Sequence, residues 1–72
     1  ALQREVSQRR MMEAVPTADV VITNPTHFAV ALKYDGSEGS APTVVTKGRD
    51  LIATRIRSLA TENNVAIFSA PP

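Results

Sequence analysis

A chain of 72 residues accommodates one small domain and no more. Eight basic residues against seven acidic give a net charge of +1, too balanced to announce a nucleic-acid partner. Cysteine is absent and histidine occurs once, which excludes disulfides and thiolate metal sites and leaves no donor set for zinc, so neither metal nor cofactor is expected.

Aromatic residues make up 4% of the chain: Phe28, Tyr34 and Phe68. The core is therefore expected to be aliphatic, built from Val, Ile, Leu and Ala, and a core of this size supplies only a few kcal/mol of net stability. The apolar stretches are far shorter than the ~20 residues that cross a bilayer. No segment has the form of a signal peptide. The piece reads as soluble, and its parent could be membrane-anchored.

Residues Ala1 to Ala14 read as a helix, with Leu2, Val6, Met12 and Val15 as a loose apolar side among charged and amide residues. No capping residue precedes it, so the helix is expected to begin upstream, and Pro16 is expected to end it. Asp19 to Thr23 is a β-branched run and predicts a buried strand. After Asn24-Pro25-Thr26-His27 comes a second strand, Phe28 to Tyr34. Its alternation places Phe28, Val30, Leu32 and Tyr34 on one face and Ala29, Ala31 and Lys33 on the other. The small alanines predict a helix packed closely over their face.

Asp35 to Ser40 is a polar loop with two glycines. Thr43 to Thr46 predicts a third strand, and Lys47-Gly48-Arg49-Asp50 leads into a second helix of about a dozen residues. Ile52, Ile56 and Leu59, with Ala53 and Ala60, form its apolar stripe, while Arg55, Arg57 and Glu62 face water. Asn63-Asn64 stops it, because Asn tolerates the left-handed conformation at helix ends. Val65 to Phe68 predicts a fourth strand, parallel to the third in a right-handed βαβ unit. The expected fold is α/β: a small four-stranded mixed sheet flanked by helices in two or three layers, with the Asn-Pro-Thr-His turn between the first two strands. The Pro71-Pro72 pair suggests entry into further structure.

Asn24-Pro25 carries distinctive chemistry. At most Asn-X bonds the backbone nitrogen of X attacks the asparagine side chain, but proline has no N–H and closes that route. What remains is attack by the Asn24 side-chain nitrogen on its own main-chain carbonyl, forming a succinimide and expelling the nitrogen of Pro25. The attack is intramolecular, so a turn that holds the two atoms together supplies a large rate factor. The amide must lose a proton, the carbonyl oxygen must be stabilised, and the leaving nitrogen must gain a proton. His27 is the nearby proton carrier near neutral pH, and Thr26 offers a hydroxyl and a backbone N–H. Beside this stands the plain structural reading, in which proline fixes a turn and keeps Asn24 extended.

The run Val20-Val21-Ile22-Thr23-Asn24-Pro25-Thr26-His27-Phe28-Ala29-Val30-Ala31-Leu32-Lys33-Tyr34 closely resembles the cytoplasmic domain of the export-switch family of bacterial type III secretion, which comprises the flagellar export protein FlhB and its injectisome relatives. The likeness includes Arg9-Arg10-Met11-Met12, Val15-Pro16-Thr17-Ala18-Asp19, Lys47-Gly48 and Ser69-Ala70-Pro71-Pro72, and it leans towards the flagellar branch. The resemblance implies that residues 1–72 are part of one soluble domain: 1–15 the end of a linker helix, 16–72 the α/β core, with C-terminal helices beyond. It implies a membrane-anchored parent with this domain on the cytoplasmic side of the bacterial inner membrane. It further implies single-turnover self-cleavage at Asn24-Pro25, Asn24 cyclising, Pro25 leaving, and Thr26 and His27 supporting. Cleavage would accompany a switch in export substrate specificity. The implied partners are other export-apparatus proteins, a hook-length or needle-length ruler protein and export substrates, which Lys33, Lys47, Arg49 and Arg55 could contact.

A second possibility is an interaction module that binds export substrates or machinery and is never cut. A nucleic-acid-binding domain is disfavoured by the near-neutral charge and the scarcity of aromatics.

Overall fold

The β-branched and alternating runs become four strands, and the two charged, alanine- and leucine-bearing runs become helices. The computed structural model describes residues 2–24, 27–36 and 39–70. Helix α1 spans Leu2–Ala14 and passes into a single 3-10 turn, Val15–Thr17, which accommodates Pro16. Strands follow at Val20–Asn24 (β1), Phe28–Lys33 (β2) and Thr43–Arg49 (β3), then helix α2 at Leu51–Glu62 and strand β4 at Ala66–Ser69. Ala1, Ser37, Glu38 and the Pro71-Pro72 pair lie outside the described residues, as do the Leu2 and Val6 side chains expected on the apolar side of α1.

The four strands form one mixed sheet in the order β3-β2-β1-β4. β1 pairs antiparallel with β2 and parallel with β4, and β2 pairs antiparallel with β3. β3 and β4 therefore run in the same direction, as the βαβ reading requires, but two strands lie between them. Crossing three strand spacings covers about 14 Å, and the twelve residues of α2 reach about 18 Å. The helix is long enough to carry the chain to the vacant edge beside β1.

One face of the sheet is covered. Val21, Ala29 and Ala31 pack with Val15, Ala18 and, from α2, Ala53, Ile56 and Ala60, and Thr23 and Thr46 are buried on the same side. The alanine face of β2 is thus the face under the helix, and the core is aliphatic as its composition requires. Ile52, Leu59, Val45, Val65 and Met12 pack around its edge. α1 joins this layer through Met12 and through its Met11 carbonyl, which accepts the Thr46 hydroxyl.

Among the described residues, nothing covers the opposite face. Val20, Ile22, Val30 and Leu32 are half-buried there, and Phe28, Val44 and Phe68 are 40%, 51% and 61% exposed. The accessible surface of 5270 Å² exceeds the roughly 4,300 Å² of a folded chain of this mass. Among the described residues the architecture is two layers, not three.

Several boundaries move. β3 continues through Lys47, Gly48 and Arg49, which were expected to be a lead-in to the helix, because β2 keeps pairing: Ala29 opposes Gly48 and Phe28 opposes Arg49. Gly48 lies directly under Ile52, and a Cβ there would collide with that side chain. β1 takes in Asn24 and drops Asp19, and β4 takes in Ser69 and drops Val65. β2 ends at Lys33, since the Tyr34 N–H donates to the Asp19 carboxylate at 2.7 Å instead of to a strand.

Asn63-Asn64 closes α2 as the residue types predict. Asn64 is left-handed, at φ 60°, and the Val65 N–H reaches back to the Ala60 carbonyl at 2.8 Å while the Asn64 N–H reaches Thr61. This is the paired 6→1 and 5→2 arrangement that satisfies terminal carbonyls. The Asn63 side chain adds a bond to the Leu59 carbonyl at 2.8 Å.

Candidate functional site at the first hairpin

Asn24 is the last residue of β1 and stands opposite Phe28, the first residue of β2. Three residues, Pro25, Thr26 and His27, connect them. Asn24 is extended, as the residue before a proline is biased to be. Pro25 and Thr26 lie outside the described residues, so of the four expected site residues the structure places Asn24 and His27. Both are exposed at the end of the sheet.

β1 is an interior strand, held on both sides up to this turn. Thr23 pairs with Ala29 on β2 and with Ser69 on β4. Its carbonyl accepts the Ala70 N–H at 2.7 Å. Its hydroxyl, buried, donates to the Phe68 carbonyl at 3.4 Å and lies 3.3 Å from the Ser69 hydroxyl.

On the other side of the turn, the β2–β3 ladder brings in a residue from the start of α2. One position beyond the Phe28–Arg49 pair, the Asp50 N–H donates to the His27 carbonyl at 2.8 Å. The Asp50 carboxylate also approaches the imidazole, Oδ1 to Nδ1 3.4 Å. Both side chains are about 70% exposed, so as an ion pair this contact is worth about 1 kcal/mol or less.

Asp50 adopts φ 57°, ψ −121°, a conformation that suits glycine. For any other residue it costs on the order of 1–3 kcal/mol. Asp50 occupies the N-cap position of α2, yet its side chain makes no capping bond, although capping is what aspartate there ordinarily does. Only its carbonyl serves the helix, accepting the Thr54 N–H at 3.1 Å and the Thr54 hydroxyl at 3.3 Å. In the sequence, Asp50 reads only as the last residue of the lead-in to α2. Its link to His27 arises only from the β2–β3 register.

The turn thus unites an asparagine followed by proline, an imidazole and a carboxylate at one sheet end. Of the four basic residues expected to contact partners, Arg49 alone lies at this end of the sheet, next to Asp50 and opposite Phe28. Lys47 opposes Val30 on the bare sheet face, Lys33 ends β2 far from the turn, and Arg55 is exposed on α2.

A profile of the FlhB HrpN YscU SpaS family matches residues 1–72. The chain is 58% identical over 71 residues to the flagellar biosynthetic protein FlhB of Salmonella typhimurium, covering 99% of this chain and 18% of that protein. To FlhB of Bacillus subtilis it is 53% identical over 70 residues, covering 97% of this chain and 19% of that protein. The chain therefore spans less than a fifth of the length of these two relatives. Among solved structures, the cytoplasmic domain of FlhB from Shewanella putrefaciens superposes with a TM-score of 0.79 at 54% identity, covering 88% of this chain and 48% of that one. The EscU C-terminal domain carrying an asparagine-to-aspartate mutation superposes at 0.78 with 26% identity, covering 97% of this chain and 64% of that one.

Proposed function

The chain belongs to the FlhB HrpN YscU SpaS family, and on that premise we propose that it is the self-cleaving cytoplasmic domain of a component of the bacterial flagellar type III export apparatus. Its parent is anchored in the inner membrane; among the described residues here, no helix is long and apolar enough to cross one. The reaction is a single turnover on its own backbone, not enzymatic turnover.

The Asn24 side-chain nitrogen attacks the Asn24 carbonyl carbon. A bond from that nitrogen to the carbon forms and the bond to the Pro25 nitrogen breaks. One proton leaves the amide and one arrives on the departing proline nitrogen, so a single imidazole can take the first and return the second. His27 has that role, with Thr26 supporting the developing negative charge on the carbonyl oxygen. Water then opens the succinimide, leaving a new carboxylate at residue 24 and a free imino terminus at Pro25.

The observation that carries this reading is the setting of Asn24. It closes an interior strand anchored on both flanks, is followed by the one residue that shuts the competing deamidation route, and shares its turn with His27. Cleavage alters charge and freedom at the turn without removing a sheet contact. That local change is the signal that moves export from early rod- and hook-type substrates to late filament-type ones. A hook- or needle-length ruler protein, other export-apparatus proteins and the substrates themselves are its partners.

The test is chain continuity. Mass spectrometry of the purified protein under denaturing conditions is expected to find one piece ending at Asn24 and another beginning at Pro25. An intact chain after days at mildly alkaline pH overturns self-cleavage. It would leave the second reading, an uncut binding module, which the exposed Phe28, Val44 and Phe68 of the bare face favour.

A further inference from the structure

Resting on the self-cleavage reading, the geometry assigns a positioning role to Asp50: it holds His27 with the proton on Nδ1, leaving Nε2 as the nitrogen that accepts and returns a proton. Three independent features of Asp50 point the same way. Its N–H fixes the His27 carbonyl at 2.8 Å. Its carboxylate lies beside the Nδ1 edge of the ring at 3.4 Å, turned away from the helix N-terminus that an aspartate in this position would normally cap. Its backbone sits at φ 57°, where glycine would be unstrained. A strained, non-glycine residue that gives up its ordinary structural task in order to face a histidine is the pattern of a functional site.

The chemistry follows from the imidazole. In the neutral ring one nitrogen carries the proton and the other accepts, and the partner of one nitrogen decides which. A carboxylate at Nδ1 favours the proton there and stabilises the imidazolium that forms when Nε2 takes the Asn24 proton. The 3.4 Å approach is longer than a direct N–H···O bond, and such contacts commonly tighten as the reaction proceeds.

The test uses the fact that His27 is the only histidine in the chain. Asp50→Gly removes the carboxylate but keeps the N–H and suits the observed φ, so the turn survives. Cleavage is followed from the moment of cell-free synthesis by the appearance of the piece ending at Asn24. Asp50→Gly is expected to slow it by about three- to tenfold, Asp50→Glu to recover part of the loss, and Asp50→Gly added to His27→Ala to cost nothing more. In chains kept whole by Asn24→Ala, ring-nitrogen NMR at mildly alkaline pH is expected to show the Nδ1–H form of His27, shifting towards Nε2–H in Asp50→Gly.

An unchanged rate in Asp50→Gly overturns the assignment, as does an equal further loss in the His27→Ala background or an unaltered ring tautomer. These leave self-cleavage standing. A parent chain that never cuts itself overturns self-cleavage and the assignment with it.

Discussion

The carbonyl of Thr23 accepts the N–H of Ala70 at 2.7 Å, joining the residue before Asn24 to the residue after β4. The bond belongs to a larger arrangement in which β1 lies between β2 and β4. Cutting after Asn24 would divide the core itself: Val15, Ala18 and Val21 fall on one side, and Ala29, Ala31, Ala53, Ile56 and Ala60 on the other. The two pieces are therefore expected to stay together. On size-exclusion chromatography of the cut protein they should co-elute and separate only in denaturant. Separate elution in native buffer would show that the sheet does not hold them.

Asn24→Ala removes the attacking nitrogen. Asn24→Asp replaces it with an oxygen at nearly constant shape. Each is expected to leave a single band on denaturing electrophoresis at mildly alkaline pH, with an unchanged far-ultraviolet circular dichroism spectrum. A cut in either variant would require a different nucleophile.

Gly48 is required by the approach of α2 to the sheet. A methyl group there meets the Ile52 side chain, and overpacking of this kind costs about 1–3 kcal/mol. Gly48→Ala is expected to lower the denaturant midpoint, and Ile52→Ala in the same chain to restore part of it. An unchanged midpoint in Gly48→Ala would mean that the helix rides higher than described.

Among the described residues, Ile56 is the largest fully buried side chain. Truncation to alanine costs about 2–5 kcal/mol, comparable with the whole net stability of a domain this small, about 3–5 kcal/mol. Ile56→Ala is expected to lose most of its helical circular dichroism signal at room temperature. Retention of the full signal would locate the stabilising contacts elsewhere.

Local features were legible in the residues. Ala29 and Ala31 announce a covered face because their periodicity and size are properties of the strand itself. Asn63-Asn64 ends α2 because left-handed tolerance is intrinsic to asparagine. Strand order was not legible: that β4 lies beside β1 depends on which edge a helix of given length reaches. Lys47 to Arg49 read as a lead-in to α2 and become strand only because β2 extends opposite them. Asp50 shows the same limit at the site. It reads as the last residue of the lead-in to α2, and only the register of β2 against β3 turns it towards His27.

The filling of the interior by aliphatic side chains has a consequence for the choice of probe. Tyr34 is the sole tyrosine, the chain has no tryptophan, and the ring is already 53% open to water. Unfolding changes its surroundings little, so intrinsic fluorescence would report an almost silent transition even while the sheet comes apart. Melting curves for this protein belong to backbone signals, and a flat emission trace is no sign of a robust fold.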